Sequence, residues 1–169
     1  MNLNETFTRH EPKPISTSLW RICAALALTL SAAASWAQHD AHKMMTPAEL
    51  KWSNVPSLPA GATLAVIEGP MNQATPFTVR LKFPDGYRIP PHFHPAVERV
   101  TVLSGTFHMG QGQQFDRGKA QALPAGGIAI MQPKTPHFAW TSGETIVQLH
   151  GTGPWGVTYV NPADDPRKK

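Results

Sequence analysis

The chain has 169 residues, with fifteen Lys and Arg against eleven Asp and Glu and a formal net charge of +4. That length suits one domain of ordinary size. The single cysteine, Cys23, excludes an internal disulfide and an iron–sulfur cluster, and no basic stripe interleaved with aromatics appears, so nucleic acid is not an expected partner.

Residues 1–37 read as an export signal. Arg21 precedes an apolar run from Ile22 to Ala34, and Ser35 and Ala37 flank Trp36 to give a cleavage site before Gln38. The apolar run is shorter than the ~20 residues a membrane-spanning helix needs, so no stable insertion is expected after cleavage. The region before it, Met1 to Arg21, is longer than usual for such a signal. Cys23 follows Trp20, Arg21 and Ile22 rather than a small-residue lipobox. Cleavage would leave a thiol-free domain, suited to a periplasmic or secreted location. In it, twelve Lys and Arg face nine Asp and Glu.

Residues 38–60 read as an amino-terminal arm with one short helix. His39, Asp40 and His42 would either capture copper or nickel adventitiously at a new terminus or form a plain polar tail. Thr46 to Leu50 suits a single helical turn, with Thr46 as cap and Pro47 at the first position. Pro56, Pro59 and Gly61 then punctuate a loop.

Residues 61–163 read as a β domain, followed by a polar tail at 164–169. Ala62 to Ile67 is a β-run ending at Glu68. Between Pro76 and Phe83, Phe77, Val79, Leu81 and Phe83 alternate with Thr78, Arg80 and Lys82. Pro84, Asp85 and Gly86 form a turn. Strands follow at Glu98–Leu103, Thr106–Met109, Ile128–Met131, Phe138–Trp140 and Thr145–His150, with a turn at Ser104 and Gly105, and Tyr159 ends a further short strand. Gly110 to Gln114 suggests a hairpin. Strands with turn signals every ~8–12 residues indicate an all-β barrel or sandwich. No helix of ordinary length is expected after Leu50.

The centre of this domain is the stretch Gly86 to Gly105. His92 and His94 are two residues apart, which on a strand puts both imidazoles on one face. Pro95 interrupts the ladder, and Glu98 opens the next β-run. Two nitrogens and one carboxylate oxygen around one point make most of a shell for a divalent transition metal. A fourth ligand must come from elsewhere, and His137 is the best candidate.

The spacing Gly86-x5-His92-x-His94-x3-Glu98-x6-Gly105 resembles the first signature motif of the cupin superfamily at every fixed position. A second, looser resemblance runs from Gly118 through Pro124 and Gly126 to His137. There, Lys134 stands where the family usually has glycine, and Thr141 where an asparagine is often found. The resemblance implies a single-domain cupin, a double-stranded β-helix of the jelly-roll kind. It also implies one divalent metal (Fe, Mn, Ni, Cu or Zn) at one end of the barrel, held by His92, His94, Glu98 and His137.

Other side chains could join that pocket or support it. His108 and His150 would serve to orient a ligand imidazole or would be structural or exposed. Phe93, Phe138, Trp140 and Trp155 would form an apolar wall or pack in the core. Arg80 would hold a substrate carboxylate or face solvent. Three activity classes stay open, because cupins include all of them. One is an oxidoreductase, dioxygenase-like, acting on a small organic molecule. The others are a Lewis-acid lyase, isomerase or hydrolase, and a metal-dependent binding or sensor domain without turnover. The partner expected is a small molecule, and a homodimer is allowed.

Overall fold

Residues 42–169 are described by the structure, a computed structural model. The chain divides into two units, Met1–Met44 and Met45–Lys169. The expected export signal at 1–37, with His39 and Asp40, lies outside the described residues.

Met45–Lys169 is built from nine strands: β1 (Ser53–Asn54), β2 (Thr63–Glu68), β3 (Pro76–Phe83), β4 (Arg88–Phe93), β5 (Glu98–Gln111), β6 (Gln121–Pro124), β7 (Ile128–Met131), β8 (His137–Thr152) and β9 (Thr158–Tyr159). All pairings are antiparallel. The main path runs β1-β2-β3-β8-β4-β9, while β5 pairs with β6, β7 and β8. Among the described residues the helical elements are 3-10 turns only, at Pro47–Glu49, Arg117–Lys119, Pro162–Asp164 and Pro166–Lys168. The first is the turn expected from Thr46 and Pro47. The Thr46 backbone N–H donates to Glu49 Oε2 at 2.6 Å, which ties off a donor the turn leaves free.

The fold is a curled sheet of the double-stranded β-helix class, as the sequence implies. Its interior is set by period-two alternation. Phe77, Val79, Leu81 and Phe83 of β3 are buried, while Thr78, Arg80 and Lys82 between them are only partly covered. Val100, Val102, Phe107 and Met109 from β5 and Val147 and Leu149 from β8 complete the wall. Burying each such side chain contributes about 1.5–3 kcal/mol.

Two strands are longer than their sequence suggests. β5 runs through Ser104 and Gly105, and β8 runs through Gly143, where breaks were expected. The two strands bend together, so their ladder continues from Arg99↔His150 to Gln111↔His137 with register shifts around Ser104. Gly105 makes this possible. Its φ is +74°, and a Cβ there would lie 2.5 Å from both the Glu144 carbonyl and Thr145 Oγ1. Gly86, at φ +67°, makes the turn into β4. Both glycines of the first motif are thus backbone requirements. The expected hairpin at Gly110 does not form, because Gly110 and Gln111 extend β5 opposite Phe138 and His137.

The segment at 55–59 does more than form an arm. Leu58 enters the core, and the Tyr159 hydroxyl donates to the Ser57 carbonyl at 2.9 Å. Burial pushes the Tyr159 hydroxyl pKa up to about 12. At the other end of the chain the polar residues are anchored as well, since Arg167 Nη2 donates to the Val157 carbonyl at 2.9 Å.

Candidate metal centre

The histidines are delivered by proline. Pro90 and Pro91 have no N–H to donate, so the β4–β8 ladder shifts register between Ile89 and His92. The Pro90 carbonyl then accepts from His92 Nδ1 at 2.7 Å. His137 repeats the device: Pro136 precedes it, and the Thr135 carbonyl accepts from its Nδ1 at 2.9 Å. His92 and His137 are direct cross-strand partners, with ring centroids 4.3 Å apart. His94 follows the end of β4, and its Nδ1 donates to the Gly156 carbonyl at 2.8 Å.

Each Nδ1 faces a carbonyl, which can only accept. Each imidazole therefore carries its proton on Nδ1 and presents a bare Nε2 lone pair, the form that binds metals. Three ligand atoms, one from each of His92, His94 and His137, lie within 4.8 Å of one another, and all three residues are buried. Burial first, then the imidazoles of His137 and His94, push the His92 pKa down to about 3, so the ring is neutral.

Glu98 opens β5 beside this cluster and is 5% exposed. Its Oε1 lies 3.3 Å from His94 Nε2 and its Oε2 lies 3.2 Å from His137 Nε2. Burial opposes its ionisation; protons on His137 and His94 Nε2 would donate to it and hold its pKa well below the usual carboxylate range, and with those nitrogens bare that part falls to a cation.

These contacts have ion-pair distances, yet His94 Nε2, His137 Nε2 and Glu98 Oε2 all lack hydrogen-bond partners. Two lone pairs face an anionic carboxylate with no proton between them. Protonating both rings would satisfy the carboxylate but would bury two cations on rings whose centroids are 5.0 Å apart. A divalent cation satisfies all three orphaned atoms at once. A three-histidine cluster in this fold therefore suggests a divalent metal, and the donor set is of the imidazole and carboxylate kind that first-row metals take.

The cluster sits at the end of a narrow apolar cavity of about 370 Å³, counting its open mouth. Leu58, Leu81, Phe83, Phe107, Met109 and Leu149 are among its walls. Of the side chains that sequence reading placed near the site, Trp155 lines this cavity, stacked on His94 at 4.4 Å and 20°.

Phe138 is fully buried, with Phe115 tilted against it at 5.0 Å, and does not line the cavity. Phe93 alternates with His92 and His94 and faces an outer cleft. Arg80 lies on the outer face of β3, its Nε donating to Gln148 at 3.2 Å, so it does not reach substrate space. His108 and Trp140 stack on each other outside the barrel at 3.6 Å and 7°, with His108 Nε2 also 2.9 Å from Ser142 Oγ. His150 pairs with Thr78 and Arg99 on the same outward parity as Gln148.

The strand alternation selects the outward alternative for the residues that leave the cavity. Phe93, Arg80, His108, Trp140 and His150 each lie one residue out of phase with buried positions, as Arg80 does with Val79 and Leu81. Sequence reading missed Gly156, whose backbone carbonyl positions His94. The Pro-His dipeptide, present at both Pro91-His92 and Pro136-His137, is a signal that could have paired the two imidazoles earlier.

Comparison with known proteins places this geometry in a family. A match to the ChrR cupin-like domain spans residues 40–154. No curated protein matches the sequence. Among solved structures, the polyketide cyclase RemF from Streptomyces resistomycificus is 18% identical with a TM-score of 0.60, over 75% of this chain and 91% of that one. An uncharacterized protein with a double-stranded β-helix domain from Klebsiella pneumoniae is 26% identical with a TM-score of 0.51, over 69% and 96%. An oxalate oxidase is 21% identical with a TM-score of 0.54, over 75% and 67%. These likenesses share the curled β-sheet architecture. The chain is a cupin, a member of the ChrR cupin-like domain family.

Proposed function

We propose that this cupin is an exported, metal-dependent oxidoreductase acting on a small organic molecule, with His92, His94, Glu98 and His137 as the ligands of one divalent metal. One observation carries the reading. Three imidazoles have their Nδ1 protons fixed on the Pro90, Gly156 and Thr135 carbonyls, and their other nitrogens converge beside an ionised carboxylate.

Three neutral imidazoles and one carboxylate would leave a metal(II) site with a charge near +1. A redox-active metal held there would exchange electrons with substrate and dioxygen. The protein's part is to fix ligand orientation and to keep water away. The carbonyl partners prevent ring rotation, and the apolar walls disfavour hydrolysis of a reactive species.

The cavity lining supports redox over acid–base chemistry. Apart from His92, His94, Glu98 and His137, it contains no titratable side chain. A lyase or hydrolase would need a positioned base beyond the ligands, whereas an oxidation centred on the metal needs none. The oxalate oxidase among the structural neighbours is compatible with this choice, and the polyketide cyclase shows that the fold also carries other chemistry.

Export rests on the Arg21 and Ile22-to-Ala34 pattern, and a mature protein beginning near Gln38 by mass spectrometry supports it. The activity is tested by oxygen uptake and product analysis on protein loaded in turn with iron, manganese, nickel, copper and zinc. Turnover with a redox metal and none with zinc is expected. Turnover with zinc as fast as with iron overturns the reading, since zinc has no accessible second oxidation state.

A further inference from the structure

Trp155 and Val157 both stand between the metal cavity and the surface beside it, and Val157 is buried. Every other side chain that lines the metal cavity is buried, and Trp155 alone among them is partly exposed. It also lines a second, outer cleft of about 630 Å³, together with Lys134 and Arg167. The indole is thus a wall between the cleft and the cavity. Its Nε1 is buried with no hydrogen-bond partner, an arrangement that costs free energy unless something else accepts from it.

The loop that carries it is built around glycine, at Gly153 and Gly156. Gly156 also supplies the carbonyl that holds His94, so displacing Trp155 would be felt at the centre itself.

The cleft carries positive charge. Arg167 is partly committed to Asp165, with Nε 2.7 Å from Oδ1. Lys134 is exposed, has no ion pair among the described residues, and projects from the turn that leads into His137. Its N–H donates to the His94 carbonyl at 2.8 Å, which fixes the turn against the centre. Lys134 has a φ of +59°, the only non-glycine with positive φ among the described residues. A residue with a long side chain there is strained where glycine would not be, and strain of this kind gathers at functional positions. The cavity itself offers no cation besides a metal.

We propose that Trp155 is the gate between the outer cleft and the metal cavity, and that Lys134 makes this entrance selective for small anionic substrates, carboxylates by chemical class. The inference rests on the metal-centre reading above. Lys134 attracts the carboxylate into the cleft, Trp155 swings aside to admit it, and the indole N–H donates to the anion once it is inside.

The test uses the full chain loaded with Co(II), whose visible absorption reports ligands arriving at the metal. Propionate and the neutral probe pyridine are mixed with it in a stopped-flow instrument at neutral pH. Lys134→Glu should slow propionate binding about threefold or more at low ionic strength and leave pyridine unchanged, because steering by exposed charge is large in dilute salt. The difference should vanish in high salt. Trp155→Ala should speed the binding of both probes several-fold, and Trp155→Phe should speed only the release of propionate.

Equal propionate rates for wild type and Lys134→Glu in dilute salt overturn the anion entrance. Unchanged rates for both probes in Trp155→Ala overturn the gate. Cobalt content is measured on every sample. Normal cobalt content with unchanged kinetics defeats this proposal alone, whereas wild-type protein that takes up no cobalt defeats the metal-centre reading and this proposal with it.

Discussion

Replacing Glu98 with Gln separates a metal ligand from a buried ion pair, because the two readings predict opposite signs. Glu98 keeps its size in this variant and loses its charge. In metal-free protein its carboxylate faces two bare nitrogens at 3.3 and 3.2 Å, with no proton to share. Removing the charge relieves that repulsion, so the metal-free variant should be as stable as wild type or more stable.

With metal bound the sign reverses. At a free metal concentration 100 times the dissociation constant, binding stabilises wild type by about 2.7 kcal/mol. For a domain the size of Met45–Lys169 that is a rise in Tm of roughly 10 °C. Losing an anionic ligand should weaken metal affinity by about 100-fold, a cost of about 2.7 kcal/mol. The variant should therefore show almost none of the metal-induced rise at the same concentration. Differential scanning calorimetry with and without metal, on both proteins, reads all four values. A metal-free variant that melts well below wild type, with an unchanged metal-induced shift, would exclude Glu98 as a metal ligand. It would mean that Glu98 serves protonated histidines instead, since breaking a buried ion pair costs about 3–5 kcal/mol.

Three further outcomes follow from the geometry. Gly105→Ala forces a Cβ to within 2.5 Å of backbone and side-chain oxygens at φ +74°, and should lower stability by about 2–4 kcal/mol in denaturant titration. Lys134→Gly should raise stability by about 1 kcal/mol by removing strain at φ +59°, while slowing the capture of anions. Metal-free protein should lose thermal stability as pH falls from about 6.5 toward 3. The His92 pKa is depressed in the fold by burial first, so the unfolded chain takes up that proton earlier. A flat Tm across that range would contradict the burial of a neutral His92.

Much of the fold and of the candidate site is legible in the residues themselves. The alternation in β3 exposes its buried face, and the two-residue spacing of His92 and His94 fixes their common side. The pairing of His92 with His137 depends on register across 45 positions of chain, which no local pattern encodes; the resemblance of motifs supplied it. The bends in β5 and β8 read as turns because a glycine with positive φ has the same local signature in both. Only the long-range β5–β8 ladder carries the strands through.

The outer positions of Arg80, His108 and His150 were within reach of the same parity argument that found the core. The sequence alone leaves each of them open between the pocket and the outer face. Gly156 could not be found from its side chain, because its contribution to His94 is a backbone carbonyl.

The proposed centre holds one divalent metal between His92, His94, Glu98 and His137. Metal content per chain, measured by mass spectrometry on wild type and on His94→Ala purified side by side, tests it most directly. About one metal per wild-type chain and a sharp loss in the variant are expected, with the β-sheet circular dichroism unchanged because the barrel has its own apolar core. A variant that retains the wild-type stoichiometry would contradict it.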